Sequence, residues 1–317
     1  MFRIFQGRIF LSALALISLH CTVLNANICD RTPALVVQIE LHVNKLCKDI
    51  TSDDLKTIGQ LGFKNIALES LREGDFAGLS ELRYLGFTQS TPKEVSIPAN
   101  VFSSLNKVEY LSFSNQTIKG IEPKAFLGLS NLKFLSMTVN IESVMGGDDF
   151  EGLEKISQLH IRGVGANTFP ENFFAKFSSL WMLEISKSSI STITPNQFRG
   201  LTNLSTLVIS GCNDLVALSK GAFQDLENLY NVVLVENSIS ELGDELFADN
   251  KNLNHIDLSK NKLATIAPEV FSNVNLEEVL EVRIGCNPIA NNAVAVEGLK
   301  YVLGARLNTE KCEWNIE

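Results

Sequence analysis

Histidine, cysteine and positive charge are all in short supply in this sequence, and each shortage narrows what the chain can do. Four histidines occur in 317 residues, and one of them, His20, falls in an amino-terminal leader. Imidazole-rich metal centres need several such ligands converging on one point, so no metal and no other cofactor is expected. Lysine and arginine number 27 against 36 aspartates and glutamates, a net charge of −9. Losing Arg3 and Arg8 with the leader takes this to −11. A surface of that sign repels polyanions as a whole, so no nucleic-acid partner is expected. Long apolar runs are missing too. Beyond the leader nothing approaches the roughly 20 apolar residues of a membrane span.

The leader itself reads as a signal peptide over residues 1–26. Arg3 and Arg8 make a positive start, Ile9 to Leu19 an apolar middle too short to span, and Ala26 a small residue before a cut. Cys21 follows His20, a poor match to a lipid-anchor site. The expected location is therefore secreted or extracellular (periplasm or cell surface in a Gram-negative bacterium). Of six cysteines, five remain after the leader: Cys29, Cys47, Cys212, Cys286 and Cys312. Two lie near each end, so in an oxidising compartment Cys29 pairs with Cys47 and Cys286 with Cys312. Cys212 is left over, as a structural thiol or as an intermolecular link.

What the chain has in plenty is a recurring pattern. The stretch Leu253-Asn-His-Ile256-Asp-Leu258-Ser-Lys-Asn261-Lys-Leu263 has the form LxxLxLxxNxL, and its first position recurs about every 24 residues from Ile58 to Val279. The LxL pair follows each time, from Leu61/Phe63 to Val282/Ile284, and a phenylalanine from Phe76 to Phe271 closes nine of ten units. Each unit can bury its leucines only against its neighbours. The result expected is an α/β repeat solenoid, a horseshoe of about ten parallel strands roughly 43 Å long at about 4.8 Å per strand. The residue after each strand is Asn at Asn140, Asn237, Asn261 and Asn287, where an amide can serve buried backbone of the next turn. Ser90, Gln116, Ser188 and Cys212 take its place elsewhere, and Ile66 and Val164 break the series.

Ends of such a stack need covers. Residues 27–57 form an amino cap, with a helix from Asp30 to Leu46 capped by Thr32, opened by Pro33 and apolar at Leu35, Val36, Ile39, Val43 and Leu46. Residues 58–285 are the repeats. Residues 286–317 form a second cap, with a helix from Asn292 to Leu307 buried through Val294, Val296, Leu299, Val302 and Leu303. Extra residues fall in Thr88 to Val95, after Cys212 and before Val279; insertions of this kind bulge onto a rim, as binding loops or as tolerated drift.

These residues resemble the extracellular, 24-residue class of leucine-rich repeat proteins. The segment from Cys29-Asp-Arg-Thr-Pro through Cys47, with Asp49 to Ile58, is similar to the amino cap of secreted bacterial members, which join an internalin-like cap to repeats like those of lamprey variable lymphocyte receptors. The resemblance implies recognition of a protein or glycan on the concave face. The carboxyl cap departs from the four-cysteine form common in animal members.

Residues between the leucines point to that face. Tyr84, Tyr110 and Phe134 would stand side by side over a floor of Gly62, Gly86, Ser112 and Ser136, a shallow trough of the kind that anchors partners; stacked aromatics can also merely support neighbouring strands. His160, Arg162, Trp181, Glu184 and Tyr230 complete the candidate ligand-binding set. Ser136, His160 and Glu184 share one column and imitate a nucleophile, base and orienter, yet the surface is open and no oxyanion donors are apparent. The main reading is a non-enzymatic module, monomeric and without a membrane span, binding a protein ligand. Adhesion to glycan or matrix through rim loops is the alternative, and hydrolysis by Ser136/His160/Glu184 is remote. His160 and His255 lie four strands apart, roughly 19 Å, too far to share a metal. Asp148-Asp149 after Gly146-Gly147 reads as a solvated turn.

Overall fold

The computed structural model describes residues 27–139, 150–163, 165, 167–170 and 172–310. The leader 1–26, Asn140, the Gly146 to Asp149 turn, Val164 and Cys312 lie outside the described residues. Two helices open the chain, α1 (Pro33–Val43) and α2 (Ser52–Lys56). Then come the strands of a parallel sheet: β1 (Gln60–Lys64), β2 (Tyr84–Ile97), β3 (Tyr110–Ile121), β4 (Phe134–Val139), β5 (Gln158–Arg162), β6 (Met182–Ser186) and β7 (Thr206–Ser210). The sheet continues through β9 (Asn231–Val233), β11 (His255–Asp257) and β12 (Glu281–Arg283), while β8 (Ala217–Leu218) and β10 (Glu241–Leu242) pair with each other separately. Helix α3 (Ala293–Leu303) leads to β13 (Leu307–Asn308).

Register follows the leucines. Leu61, Leu85, Leu111, Leu135, Leu159, Leu183, Leu207, Val232, Ile256 and Val282 lie side by side across the sheet. An eleventh strand, not expected, completes it: Leu307 and Asn308 pair with Val282 and Arg283, so the carboxyl cap covers the last edge with backbone as well as with a helix. Behind the strands the closing phenylalanines stack from Phe76 through Phe102 and Phe126 to Phe150, at 5.9–6.3 Å between centroids. Phe173 and Phe177 meet Phe150 edge-on, and the stack resumes from Phe174 to Phe271. A second, inner stack of Phe63, Phe87 and Phe113 runs through the first three strands alone.

At the amino end Cys29 and Cys47 form the expected disulfide. Thr32 stands at the N-cap of α1, but its side chain does not cap the helix. Its hydroxyl lies 2.6 Å from Asp75 Oδ2, and its backbone N–H donates to Oδ1. Arg31 donates to the carbonyls of Asp75 and Ala77. This buried cluster bolts the cap to the first repeat, and the tertiary demand of Asp75 outweighs the local capping bond. Leu46 was expected inside, but the helix stops at Val43 with Asn44 left-handed, which leaves Leu46 exposed. At the other end Asn292 caps α3 by accepting from Ala295 N. Val294 is 84% exposed, contrary to expectation, and the buried face is Val296, Leu299 and Leu303. Cys286 is disulfide-bonded.

After the strands the chain turns, and here the repeats divide. Asn237, Asn261 and Asn287 are buried and donate to the carbonyls of Ile209, Leu234 and Leu258 of the preceding repeat, while their amide oxygens accept from Cys212 N, Ile239 N and Leu263 N. The residue before each Asn turns left-handed, at Glu236, Lys260 and Cys286. In the second repeat the role falls to Gln89, which donates to Ile66 O at 2.5 Å, and Ser90 is exposed instead. The extra residues of Thr88 to Val95 lengthen β2. An exposed bulge between Thr88 and Lys93 interrupts the ladder, and pairing with β3 then resumes as far as Ile97.

Candidate functional site

Strand alternation turns one set of side chains onto the concave face, and β3 to β6 there carry a continuous row. The Tyr110 and Phe134 rings lie 6.0 Å apart, and Phe134 meets His160 edge-on at 4.8 Å. His160 Nδ1 is 3.4 Å from Glu184 Oε2. Tyr110 is 46% exposed and Phe134 half-buried. Beside the row, Glu109 accepts from both Arg83 (2.6 Å) and Lys133 (2.8 Å), and the Lys133 ammonium first, then Arg83, holds its carboxyl below the usual range.

Tyr84 does not join the row. It is 44% exposed and leans over Gly86, so that its hydroxyl and Cε1 would lie 3.1 and 3.2 Å from a Cβ there. The even trough of three rings is thus a pair of rings plus one folded aside. Gly86 is the space Tyr84 occupies, whereas Gly62 has nothing within 4 Å of its Cβ direction.

The other sequence candidates are spread out. Arg162 is exposed at the end of β5, in register with Thr138 and Ser186. Trp181 precedes β6 and is exposed with no ring partner among the described residues. Tyr230 is exposed two strands further on and meets the edge of His255 at 6.4 Å. It lines a hollow of about 470 Å³ with Asn254, Asn275 and Glu278, so the extra residues before Val279 supply one wall. Tyr110, Phe134, His160 and Glu184 are therefore brought together, with Arg162 nearby, and Tyr84, Trp181 and Tyr230 are not.

Ser136 and His160 are neighbours across β4 and β5, but His160 Nε2 is buried without a hydrogen-bond partner among the described residues. The nitrogen that would activate a serine touches no hydroxyl, so nucleophile and base are not coupled. Cys212 is fully buried, its thiol 3.6 Å from Ser210 O, and burial pushes its pKa up, which marks an inert structural thiol. No three His, Cys, Asp or Glu side chains converge as a metal site among the described residues. No helix among them is long and apolar enough to cross a membrane.

Sequence reasoning missed both ends of the concave face. At the amino end α1, β1 and Tyr84 border an open hollow of about 430 Å³, with Leu41 on its lip 72% exposed. The one signal was an apolar residue off the buried stripe of α1. At the carboxyl end exposed Leu280 borders a second hollow with His255, Glu281, Arg306 and Asn308.

Comparison with known proteins converges on one family. The chain matches the profile described as "BspA type Leucine rich repeat region" in six copies, over residues 45–180, 95–214 and 167–295. It is 25% identical over 184 residues to human Toll-like receptor 3, covering 56% of this chain and 20% of the receptor. It is 27% identical over 215 residues to the Toll-like receptor 3 of Boselaphus tragocamelus, covering 64% and 23%. The chain thus spans about a fifth of the length of these relatives. Among solved structures, that of a TLR13–ssRNA13 complex superposes with a TM-score of 0.57 at 20% identity, over 80% of this chain and 44% of that one. At that identity the likeness speaks for the fold.

Proposed function

The chain belongs to the BspA-type leucine-rich repeat family, and from that premise we propose that it is an exported, non-enzymatic recognition module whose concave face binds a protein. Modules of this kind typically bind ligands, and the family is generally without enzymatic activity. The observation that carries the reading is the row Tyr110, Phe134, His160, Glu184, two contacting rings running into an acid-base pair on a rigid sheet. A flat aromatic anchor with a polar continuation is the composition of binding hot spots. A ring as exposed as that of Tyr110 raises aggregation risk unless a partner covers it. The disulfide of the amino cap supports export.

The net charge of −9 argues against taking over the RNA partner named for the TLR13 structure. Adhesion through a rim is the second reading, favoured by the exposed bulge between Thr88 and Lys93. Affinity capture with the purified chain tests the main reading. Tyr110→Ala combined with Phe134→Ala should abolish capture of the partner, a loss of about 100-fold or more if both rings are hot spots. Equal capture by the double variant places the site elsewhere. Exchanging the charges of Arg162 and Glu184 should cripple concave-face binding and spare binding at the rim.

A further inference from the structure

The hollow at the amino-terminal end of the concave face has a composition unlike the rest of that face. Gln38, Leu41 and His42 of α1 form one wall, Gln60 and Gly62 of β1 the floor, and Tyr84 of β2 the other wall. Among the described residues no carboxylate, ammonium or guanidinium lines it. The side chains of Gln38, His42 and Gln60 make no hydrogen bond among the described residues. Two amides and an imidazole therefore stand idle between a tyrosine ring and an exposed leucine. At about 430 Å³ the space falls within the range of small-ligand sites.

Gly62 has no backbone reason to be glycine. Its φ is not positive and a Cβ would meet nothing within 4 Å. Glycine inside a strand weakens it, and often marks a place where a ligand approaches closely. Here its effect is to leave the floor open.

We propose that this hollow is a subsite for one neutral pyranose unit of a glycan. Such a ring has an apolar C–H face, which matches Tyr84 and Leu41, and a rim of hydroxyls that both donate and accept, which matches amides and imidazole. A purely apolar side chain from a protein would bury the three polar groups without returning a bond, and each would keep its full desolvation cost. An anionic sugar would find no ammonium or guanidinium among the described lining residues. The site is separate from the Tyr110–Phe134 row, so failure of that row to capture a protein leaves this proposal standing, and the reverse holds.

Saturation-transfer NMR on the purified chain is the test. The neutral probes are maltotriose, cellotriose, mannotriose and tri-N-acetylchitotriose, and the anionic ones are heparin and hyaluronan fragments. At least one neutral probe should bind, and Gly62→Leu, which fills the floor, should weaken it roughly tenfold or more, as should Tyr84→Ala. Tyr301→Ala, exposed on the distant α3, should leave binding unchanged, and an unaltered melting temperature for Gly62→Leu would show that the fold is kept. Binding of no neutral probe, of anionic probes alone, or binding indifferent to Gly62→Leu would each overturn the proposal.

Discussion

Strands β9, β11 and β12 are each three residues long, whereas β2 and β3 run to 14 and 12. The same repeat produces both, and at these five strands the difference goes with whether an asparagine follows. Where Asn237, Asn261 and Asn287 follow the strand, their amides satisfy backbone groups of two turns at once, and the chain is free to leave the sheet immediately in a tight left-handed turn. Where Gln116 stands in that place the backbone finds its partners by continuing to pair: Gln116 opposes Lys93, and Ile118 opposes both Val95 and Val139. Buried peptide groups must be paired in either case. A side-chain amide does it alone behind β9, β11 and β12, whereas at β2 and β3 a longer ladder takes up most of the work, with Gln89 adding one bond to Ile66 O.

Removing the amide from the regular half should have the largest effect. Asn261→Leu leaves Ile239 N–H and Leu234 C=O buried and unpaired. The loss should be about 3 kcal/mol, from 1–3 kcal/mol for each stranded group, read as a shift of the urea midpoint. Asn252→Ala removes a similar bond at an exposed position and should cost under about 0.5 kcal/mol. Equal effects at the two sites would mean that burial is not what makes the amide matter.

The irregular half should respond in the opposite direction. Gln116 is 1% exposed, and among the described residues neither its Nε2 nor its Oε1 has a hydrogen-bond partner. It carries the cost of a buried amide and none of the benefit, because the extended ladder already serves the backbone around it. Gln116→Leu should therefore stabilise the chain, by about 1–2 kcal/mol, in the same urea titration. A destabilisation approaching that of Asn261→Leu would show that Gln116 supports its turn after all, and the contrast between the halves would fail.

How much of this could be read beforehand follows the same division. The leucine steps fixed ten strands and their register because only one alternation buries them, and the ladder at Asn237, Asn261 and Asn287 could be read from amide chemistry alone. The lengthening of β2 and β3 could not, since a missing asparagine says that a turn must change and not what replaces it. Thr32 carried a correct capping signal that a distant residue, Asp75, overrode. Leu307-Asn308 is too short to announce a strand and forms one because the edge of β12 is there to receive it. At the candidate site the column of side chains was legible, but the posture of Tyr84 over Gly86 was not, because a side chain's lean depends on what its neighbours leave empty. The amino-terminal hollow joins α1 to β1 across the cap boundary, a contact that the repeat pattern does not encode.

Between the halves lies Cys212, and it offers the mildest test. Its position is that of the asparagines, it is fully buried, and its backbone N–H is already held by Asn237 Oδ1. Its own side chain contributes one weak contact to Ser210 O. The turn there is left-handed at Gly211, the geometry the amide requires. Cys212→Asn should extend the ladder by one rung toward Ser186 and Ser188. Any new bonds are offset by fitting a larger side chain into a fully buried position, so the expected gain is about 0.5 kcal/mol. Thermal melting of the two proteins side by side would read it as a rise of one or two degrees, on the order expected for a domain of this size. A fall instead would mean that the tight half of the horseshoe ends at Asn237 because the core behind Cys212 is too full to admit an amide, and steric room, not backbone pairing, would then set the boundary between the two kinds of repeat.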